Sequence, residues 1–487
     1  MNVLTLAPGD DVGVVLADGG PVPRGHKVAL RDVAEGAPVR KYGQVIGAAT
    51  APIAAGDHVH THNLRFAPEL KGDSATDIHA GSGAPRSDGP VPTFDGFVRD
   101  DGRAGTRNYI GIVTSVNCSA TVAKLIAREA ERRLSGFPNV DGVVALTHGG
   151  GCGMTETGEG PDLLRRTLRG YAEHPNFAAI LAVGLGCEVN QLSDLKLTAG
   201  PNPAAAMTIQ ESGGTTATVR AGLDELARLL PAADAARRVP VPASRLILGL
   251  NCGGSDGYSG ITANPALGAA VDLLAGYGGT AVLGETPEIY GAEHLLIARA
   301  APPAVGDAIR ERIAWWERYA AASGGTLDAN PSPGNKAGGI TTIAEKSLGA
   351  VAKGGTTPLR AVYRYAEPVT ESGFVFMDTP GYDPVSVTGI VAGGAQVVCF
   401  TTGRGSVFGG KPAPSLKLCS NSDTYRRMTE DMDVNCGEIA DGAATVQEMG
   451  RRIFDLVLAT ASGRQTASER LGFGEEEFTP WQLGAVL

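Results

Sequence analysis

The sequence predicts an α/β protein in which a small N-terminal β-rich module and a linker precede two α/β units with mostly parallel sheet. Three observations predict it. From about residue 107 onward, apolar runs of four to eight residues end in Gly-rich turns, and helical patterns follow several of them. Strands buried on both faces and separated by helices form parallel sheet. Before that point, shorter runs alternate apolar and polar residues in period two, the pattern of half-buried strands. Gly 68 and Pro 30 together make 98 of the 487 residues, clustered between the apolar runs with no collagen period. Such clusters mark tight turns and close backbone approaches.

The elements fall in order along the chain. VGVVLADG, HKVALRDV, YGQVIGAATA and GDHVHTHNL are the strands of a β-rich domain over residues 1–66. Residues 67–105 are rich in Gly, Pro, Asp and Ser and read as a linker. A middle α/β domain covers 106–235, with candidate strands YIGIVTSV, GVVALTH and FAAILAVGLG. After the first of these, Val122, Leu125, Ile126 and Ala130 share one helical face and Ser119 is placed to cap the helix. The Pro/Ala-rich stretch LPAADAARRVPVPASR reads as a break before a C-terminal α/β domain over 236–487. RLILGLN, TAVLGE and QVVCFTTG are its candidate strands.

Composition bounds the function. At about 150 residues per domain, the length suits roughly three domains. The formal net charge is −10, and an acidic chain without a basic patch does not wrap nucleic acid or sit on anionic lipid. No basic stretch followed by an apolar run marks a signal peptide. The apolar segments are about ten residues long, where a membrane span needs about 18. Seven cysteines, an odd count, make a poor disulfide framework and suit a reducing cytoplasm. The expected partner is a small molecule, and the composition is compatible with a homodimer.

Four cysteines share one structural position. Cys118, Cys152, Cys187 and Cys252 each fall just past the end of a candidate buried strand, in a turn of Gly, Ser or Asn. Ligands of open α/β sheets bind outside those strand ends. The thiols are 34, 35 and 65 residues apart, so a zinc-ribbon pairing is excluded and a site assembled from separate loops is required. Soft thiolates there suit iron, as a single Fe²⁺ or an iron–sulfur cluster, or another divalent metal. The plainer alternative is that each thiol packs as a small hydrophobe.

Other polar groups lie at the same strand ends. His58, His60 and His62 alternate on one strand and so share a face, where imidazole serves as base or metal ligand. His148 lies in the turn before Cys152, and Glu188, Asn190 and Gln191 follow Cys187. Ser255, Asp256, Ser259, Thr262 and Asn264 crowd one loop; Asn335 and Lys336 sit in a second; Thr402 and Arg404 sit in a third. Such loops can cradle an anionic or polyhydroxylated ligand, though solvated turns have the same composition. Three motif matches fail. Pro412 replaces the hydroxyl of a phosphate-binding loop after Lys411, Met154 replaces the last Gly of a dinucleotide fingerprint, and the Asn117-Cys118-Ser119 sequon has no secretory context.

Taken together, KYGQVIG, GDHVHTHN, FDGFVRDDGRAGTRN, NCSATV, LTHGGGCGM, GLGCEVNQ, LNCGGSDGYSGITANPALG, ETPEIYGAE, NPSPGNKAGGITTIAEKSLG, FTTGRGSVFGGKPAPSLK and DMDVNCGE resemble the altronate/galactarate dehydratase family of sugar-acid hydro-lyases. The matching stretches run from about residue 41 to about 440. The N-terminal module resembles that family's SAF domain, and NCSATV and HGGGCGM are closer to the galactarate branch than to the altronate branch. The resemblance implies loss of water from a polyhydroxy acid with a divalent metal, usually Fe²⁺; D-galactarate would give 5-dehydro-4-deoxy-D-glucarate. A sulfo-lyase of the same architecture and a non-catalytic sugar-acid-binding protein are the other readings. In the dehydratase reading His60, His62, His148 and Lys336 are candidate acid–base groups. Arg107, Lys336 and Arg404 would hold carboxylates, with Ser255, Asp256, Asn264, Asn335 and Thr402 beside them. Cys118, Cys152, Cys187, Cys252 and Glu188 are the candidate metal shell.

Overall fold

The computed structural model describes residues 2–70, 89–196 and 200–484. Two small antiparallel sheets form the N-terminal module. One runs Val3–Leu4, Val12–Val15, Lys27–Ala29, His58–Val59; the other runs Pro38–Lys41, Gln44–Ala49, Leu64–Arg65. The middle unit is a four-stranded parallel sheet in the order Gly142–Leu146, Tyr109–Thr114, Phe177–Gly184, Ala204–Thr208. The C-terminal unit is a seven-stranded parallel sheet in the order Leu359–Tyr363, Gly373–Met377, Thr280–Leu283, Ile247–Cys252, Val397–Thr402, Ser415–Cys419, Val434–Asn435. From Ile247–Cys252 the chain first builds one side of this sheet, then crosses to the other at Val397–Thr402. The crevice outside the C-terminal ends of these two strands is therefore the topological switch point, where such sheets bind ligands.

The six apolar runs of the two α/β units are all strands, because each is buried on both faces. The first middle-unit helix spans Ala120–Glu131 and buries Val122, Ile126 and Ala130, with Leu125 half-buried. Ser119 does not cap it; its hydroxyl donates to the Val116 carbonyl at 2.9 Å.

Residues 67–105 are not simply a linker. Residues 71–88 lie outside the described residues, but Thr93–Val98 and Ala104–Gly105 are strands. Phe94 and Phe97 are buried there, and Gly96 makes room for the Phe94 ring, which a Cβ would approach to 2.6 Å. Thr93–Val98 pairs with Arg238–Pro242, so the Pro-rich break is the end of the Thr215–Ala235 helix followed by a strand. The prolines suit an edge strand, which can spare amide donors.

The units share cores. Val39, Ile46 and Val59 of the N-terminal module pack in one cluster with Leu250, Leu283 and Phe374 of the large sheet. Leu164 and Tyr171 of the middle unit pack with Phe400, Trp316 and Trp481. A buried ion triad also pins the N-terminal module. Lys27 and Lys41 each lie 2.8 Å from a different oxygen of Glu345, on the Ile343–Val351 helix. Among the described residues, no helix is long and apolar enough to cross a membrane.

Candidate functional site

Strand Ile247–Cys252 ends in a buried thiol, and the neighbouring strand Thr280–Leu283 ends in a turn that carries two acids. Glu285 adopts a left-handed conformation (φ 67°), followed by the 3-10 turn Thr286–Glu288. This strained backbone brings both carboxylates back over the strand end. Cys252 Sγ lies 3.3 Å from Glu285 Oε2 and 3.3 Å from Glu288 Oε2. Among the described residues, these three form the group of metal-ligand atoms that lie within 4.8 Å of one another.

Two lysines from the far side complete the cluster. Lys353 Nζ is 2.8 Å from Cys252 Sγ and 3.0 Å from Glu285 Oε2. Lys346 Nζ is 2.7 Å from Glu288 Oε1 and 2.9 Å from Asn330 Oδ1. All four charged groups are buried. Burial alone would lower both ammoniums, but the Glu288 carboxylate outweighs it at Lys346, and the Cys252 thiol and Glu285 carboxylate outweigh it at Lys353; both are raised. Burial and the Glu285 charge raise the Cys252 thiol well above its usual value. At Glu288 burial acts upward, and Lys346 more than reverses it.

The donor set fits a divalent ion. A thiol and two carboxylates are a mixed soft and hard set of the kind transition metals accept. Glu285 Oε1 is buried with no hydrogen-bond partner, as is Asn251 Oδ1 on the adjacent strand. Such orphaned oxygens need an explanation in a well-packed site. Asp383, at the start of the Asp383–Ala392 helix, reaches over Gly253; a Cβ there would come within 2.3 Å of its carboxylate.

A narrow cavity runs beside this cluster. Lys346 lines it together with Ser255, Asp256, Ser259, Asn264 and Glu345. The N-terminal module covers this side. His60 Nε2 donates to the Lys336 carbonyl at 2.9 Å, and His26 reaches the Ala337 carbonyl at 3.4 Å. His26, His58 and His60 have ring centroids 5.1 to 5.3 Å apart. Burial lowers His60 and, with the neighbouring His26, pushes His58 down to about 4. Both are therefore neutral near pH 7.

Several residues singled out in the sequence have other places. Arg107 is buried and forms a two-pronged ion pair with Glu469 (2.7 and 2.8 Å) while donating to the Thr460 carbonyl at 2.8 Å; no donor is left to clamp a substrate. His148 is buried, donates to the Thr114 carbonyl at 3.0 Å and accepts from the Gly150 amide at 3.2 Å, so both nitrogens are engaged in fixing a turn. Glu188 accepts from the Ser115 hydroxyl and from the Leu185 and Gly186 amides. Its carboxylate folds its own loop instead of facing a metal. Cys118, Cys152 and Cys187 are exposed at the edge of the middle sheet, and Cys252 is buried in the other. The four thiols do not share one rim.

Of the other predicted positions, Ser255, Asp256 and Asn264 line the cavity, and most are engaged in holding the loops together. Asp256 accepts from Ser259, Ser420 (2.7 Å) and Asn421 (2.9 Å), and burial raises its carboxyl. Asn264 donates to the Gly349 carbonyl and accepts from Thr401. Asn335 closes a capping box with Ser332 and donates to the Ser255 carbonyl at 2.9 Å. Thr402 accepts from the Gly405 amide. His62 and Arg404 are exposed, and Lys336 is half-buried. The reading of thiols and histidines missed Glu285, Glu288, Lys346 and Lys353. Their signal was present: Glu285 follows the apolar run TAVLG as Cys252 follows LILGLN.

Comparison with known proteins agrees along most of the chain. Family models described as Altronate/galactarate dehydratase SAF domain, D-galactarate dehydratase/Altronate hydrolase second domain, and D-galactarate/Altronate dehydratase C-terminal match residues 1–67, 96–234 and 243–486. The chain belongs to the altronate/galactarate dehydratase family. Its relatives in that family include altronate dehydratase of Bacillus subtilis (strain 168), 36% identical over 459 residues, covering 93% of this chain and 90% of that one. Galactarate dehydratase (L-threo-forming) of Escherichia coli (strain K12) is 36% identical over 469 residues, 93% of this chain and 88% of that one. The beta subunit of a (2R)-sulfolactate sulfo-lyase from Chromohalobacter salexigens is 34% identical over 392 residues, 79% of this chain and 96% of that one. This family member therefore carries an N-terminal SAF domain, and its candidate metal site lies in the C-terminal family region, within residues 243–486.

Proposed function

We propose that the chain is a hydro-lyase that removes water from a sugar acid, with D-galactarate as the first substrate to test and D-altronate as the second. The observation that carries this reading is the Cys252, Glu285 and Glu288 cluster with Lys346 and Lys353 at the switch point. A divalent metal held by those three ligands, Fe²⁺ in our reading, would polarise the substrate carboxylate and hydroxyl as a Lewis acid. A reducing cytoplasm suits the seven free cysteines.

The chain's own residues supply the rest. Loss of water needs a base for the proton α to the carboxylate, stabilisation of the charge that forms, and an acid for the departing β-hydroxyl. His60 is our base. Its Nε2–H is committed to the Lys336 carbonyl, and Nδ1 of the neutral ring meets the exposed Thr61 hydroxyl at 3.1 Å, a contact that must give way when Nδ1 takes the proton. Lys346, held protonated by Glu288, faces the cavity and stabilises negative charge there without reorganisation. Lys336, half-buried, and Arg404, exposed, are the cations we assign to the substrate carboxylates. The preference for a diacid rests on the NCSATV and HGGGCGM motifs and on that pair of cations, because the altronate and galactarate relatives are equally similar overall.

The test is turnover of galactarate, altronate and sulfolactate by anaerobically purified protein with and without Fe²⁺. The expected result is a keto acid formed from a sugar acid. Sulfite release from sulfolactate with no keto acid from either sugar acid overturns the reading.

A further inference from the structure

The middle unit carries a second arrangement of thiols that the dehydration chemistry above does not use. Cysteine is among the most buried residue types, and four of the seven obey this: Cys252, Cys399, Cys419 and Cys436 are buried. The other three, Cys118, Cys152 and Cys187, are exposed and free, and all follow the C-terminal ends of adjacent strands of one sheet. Cys118 follows Tyr109–Thr114, which lies between Gly142–Leu146 and Phe177–Gly184, the strands that precede Cys152 and Cys187. Neighbouring strands are about 4.8 Å apart, so the three loops leave the sheet side by side.

These loops are tied to one another. The Asn117 amide donates to the Gly150 carbonyl at 3.0 Å, and the Asn190 amide donates to the Gly151 carbonyl at 3.0 Å. Asn190 Nδ2 donates to the Ser115 carbonyl at 2.9 Å. His148 joins the Cys152 loop to the Thr114 carbonyl on the central strand. Gly151 is at φ 101°, and a Cβ there would meet the Ser115 carbonyl at 2.3 Å. The buried His148 and Glu188 thus serve as posts that hold three thiol-bearing loops together. Gln210 Nε2 also donates to Cys187 Sγ at 3.3 Å.

We propose that Cys118, Cys152 and Cys187 bind an iron–sulfur cluster, a metal centre separate from the Cys252 site. The three thiols are not among the ligand groups that lie within 4.8 Å of one another, so they are spread too widely to share a single ion. A cluster is several atoms across and spans a wider set of thiols. Each thiol gives up its proton on binding, and thiolates are the usual ligands of such clusters. Three thiolates on a four-iron cluster leave one iron without a protein thiolate, open to an oxygen ligand.

The test is anaerobic reconstitution of the full-length protein with ferrous iron and sulfide. It reads acid-labile sulfide, iron content and visible sulfur-to-iron absorption. The expected result is cluster uptake by the wild type, and its loss in Cys118→Ser, Cys152→Ser and Cys187→Ser. Those positions are exposed, so melting temperature should hold. Glu288→Gln, which strikes only the other centre, should keep the cluster, so failure at one site is told apart from failure at the other. No sulfide uptake by the wild type, or full uptake by the triple serine variant, overturns the proposal.

Discussion

Lys353 Nζ lies 2.8 Å from Cys252 Sγ and bonds Glu285 Oε2 at 3.0 Å, with both side chains of the ion pair essentially sealed from solvent. One ammonium thus serves the thiol and a carboxylate that would otherwise be a buried uncompensated charge. Replacing one partner of a buried pair costs about 3–5 kcal/mol. Lys353→Met is therefore expected to lower stability by about that amount and to reduce turnover sharply, as read by urea unfolding and steady-state kinetics. Unchanged stability contradicts the charge balance described here.

Glu345 tests how the N-terminal domain is held. Its two oxygens each carry a buried lysine from that domain, at 2.8 Å. In Glu345→Gln the two ammoniums lose their shared counter-charge, and a loss of about 3–5 kcal/mol is expected. His60 would lose its seat against Lys336 as the domain loosens, so kcat should fall with stability. A variant as stable as the wild type would show that the apolar contacts of Val39 and Ile46 hold the domain without the triad.

His60→Gln separates chemistry from folding. The ring is half-buried, bonds the Lys336 carbonyl and the Thr61 hydroxyl, and stacks on His26, contacts at the edge of the fold and not in its core. Removing a general base lowers the rate by roughly 10²–10⁴. The expected outcome is a fall of that order in kcat with a melting temperature near the wild-type value. Full activity would remove His60 from the mechanism.

The buried histidines of the middle unit set an acid limit on stability. Burial pushes His148 down to about 4 and His174 down to about 3, and each is hydrogen-bonded to a backbone carbonyl. Unfolded imidazole titrates near about 6.5. Between those values the unfolded chain binds more protons, so stability is complete above about pH 6.5 and is lost as pH falls toward 4 and then 3. Each ring accounts for on the order of 3 kcal/mol of that loss. Urea midpoints measured across this range should fall with pH, and His174→Asn should flatten the slope; an unchanged slope contradicts the assignment.

Much of the fold was legible because parallel strands buried on both faces leave continuous apolar runs, as in FAAILAVG. The strands Leu359–Tyr363 and Ser415–Cys419 escaped notice for a physical reason. Each carries a long cation, Arg360 or Lys417, which breaks the run; Lys417 is buried, and its ammonium donates to the Phe408 carbonyl at 3.0 Å. The site was legible one strand at a time. Cys252 ends a strand and Cys118, Cys152 and Cys187 follow strand ends, but which sheet a strand joins is decided by long-range pairing that local pattern does not encode. Local pattern therefore puts Cys252 on one rim with Cys118, Cys152 and Cys187, whereas strand pairing puts it in the other sheet. Glu285 and Glu288 converge on it only because Glu285 turns the backbone into the left-handed region, a conformation that local sequence does not announce.

The central claim is that Cys252, Glu285 and Glu288 form the centre at which a sugar acid loses water. The most direct measurement is divalent-ion binding and keto-acid formation from galactarate and altronate in Glu288→Gln beside the wild type, under anaerobic conditions with Fe²⁺. Here the wild type binds the ion and turns over one of the acids, whereas Glu288→Gln, still folded, binds it weakly and loses at least about 10²-fold in kcat/KM, on the order of 3 kcal/mol of transition-state stabilisation. A folded Glu288→Gln protein with wild-type metal content and wild-type turnover would contradict it.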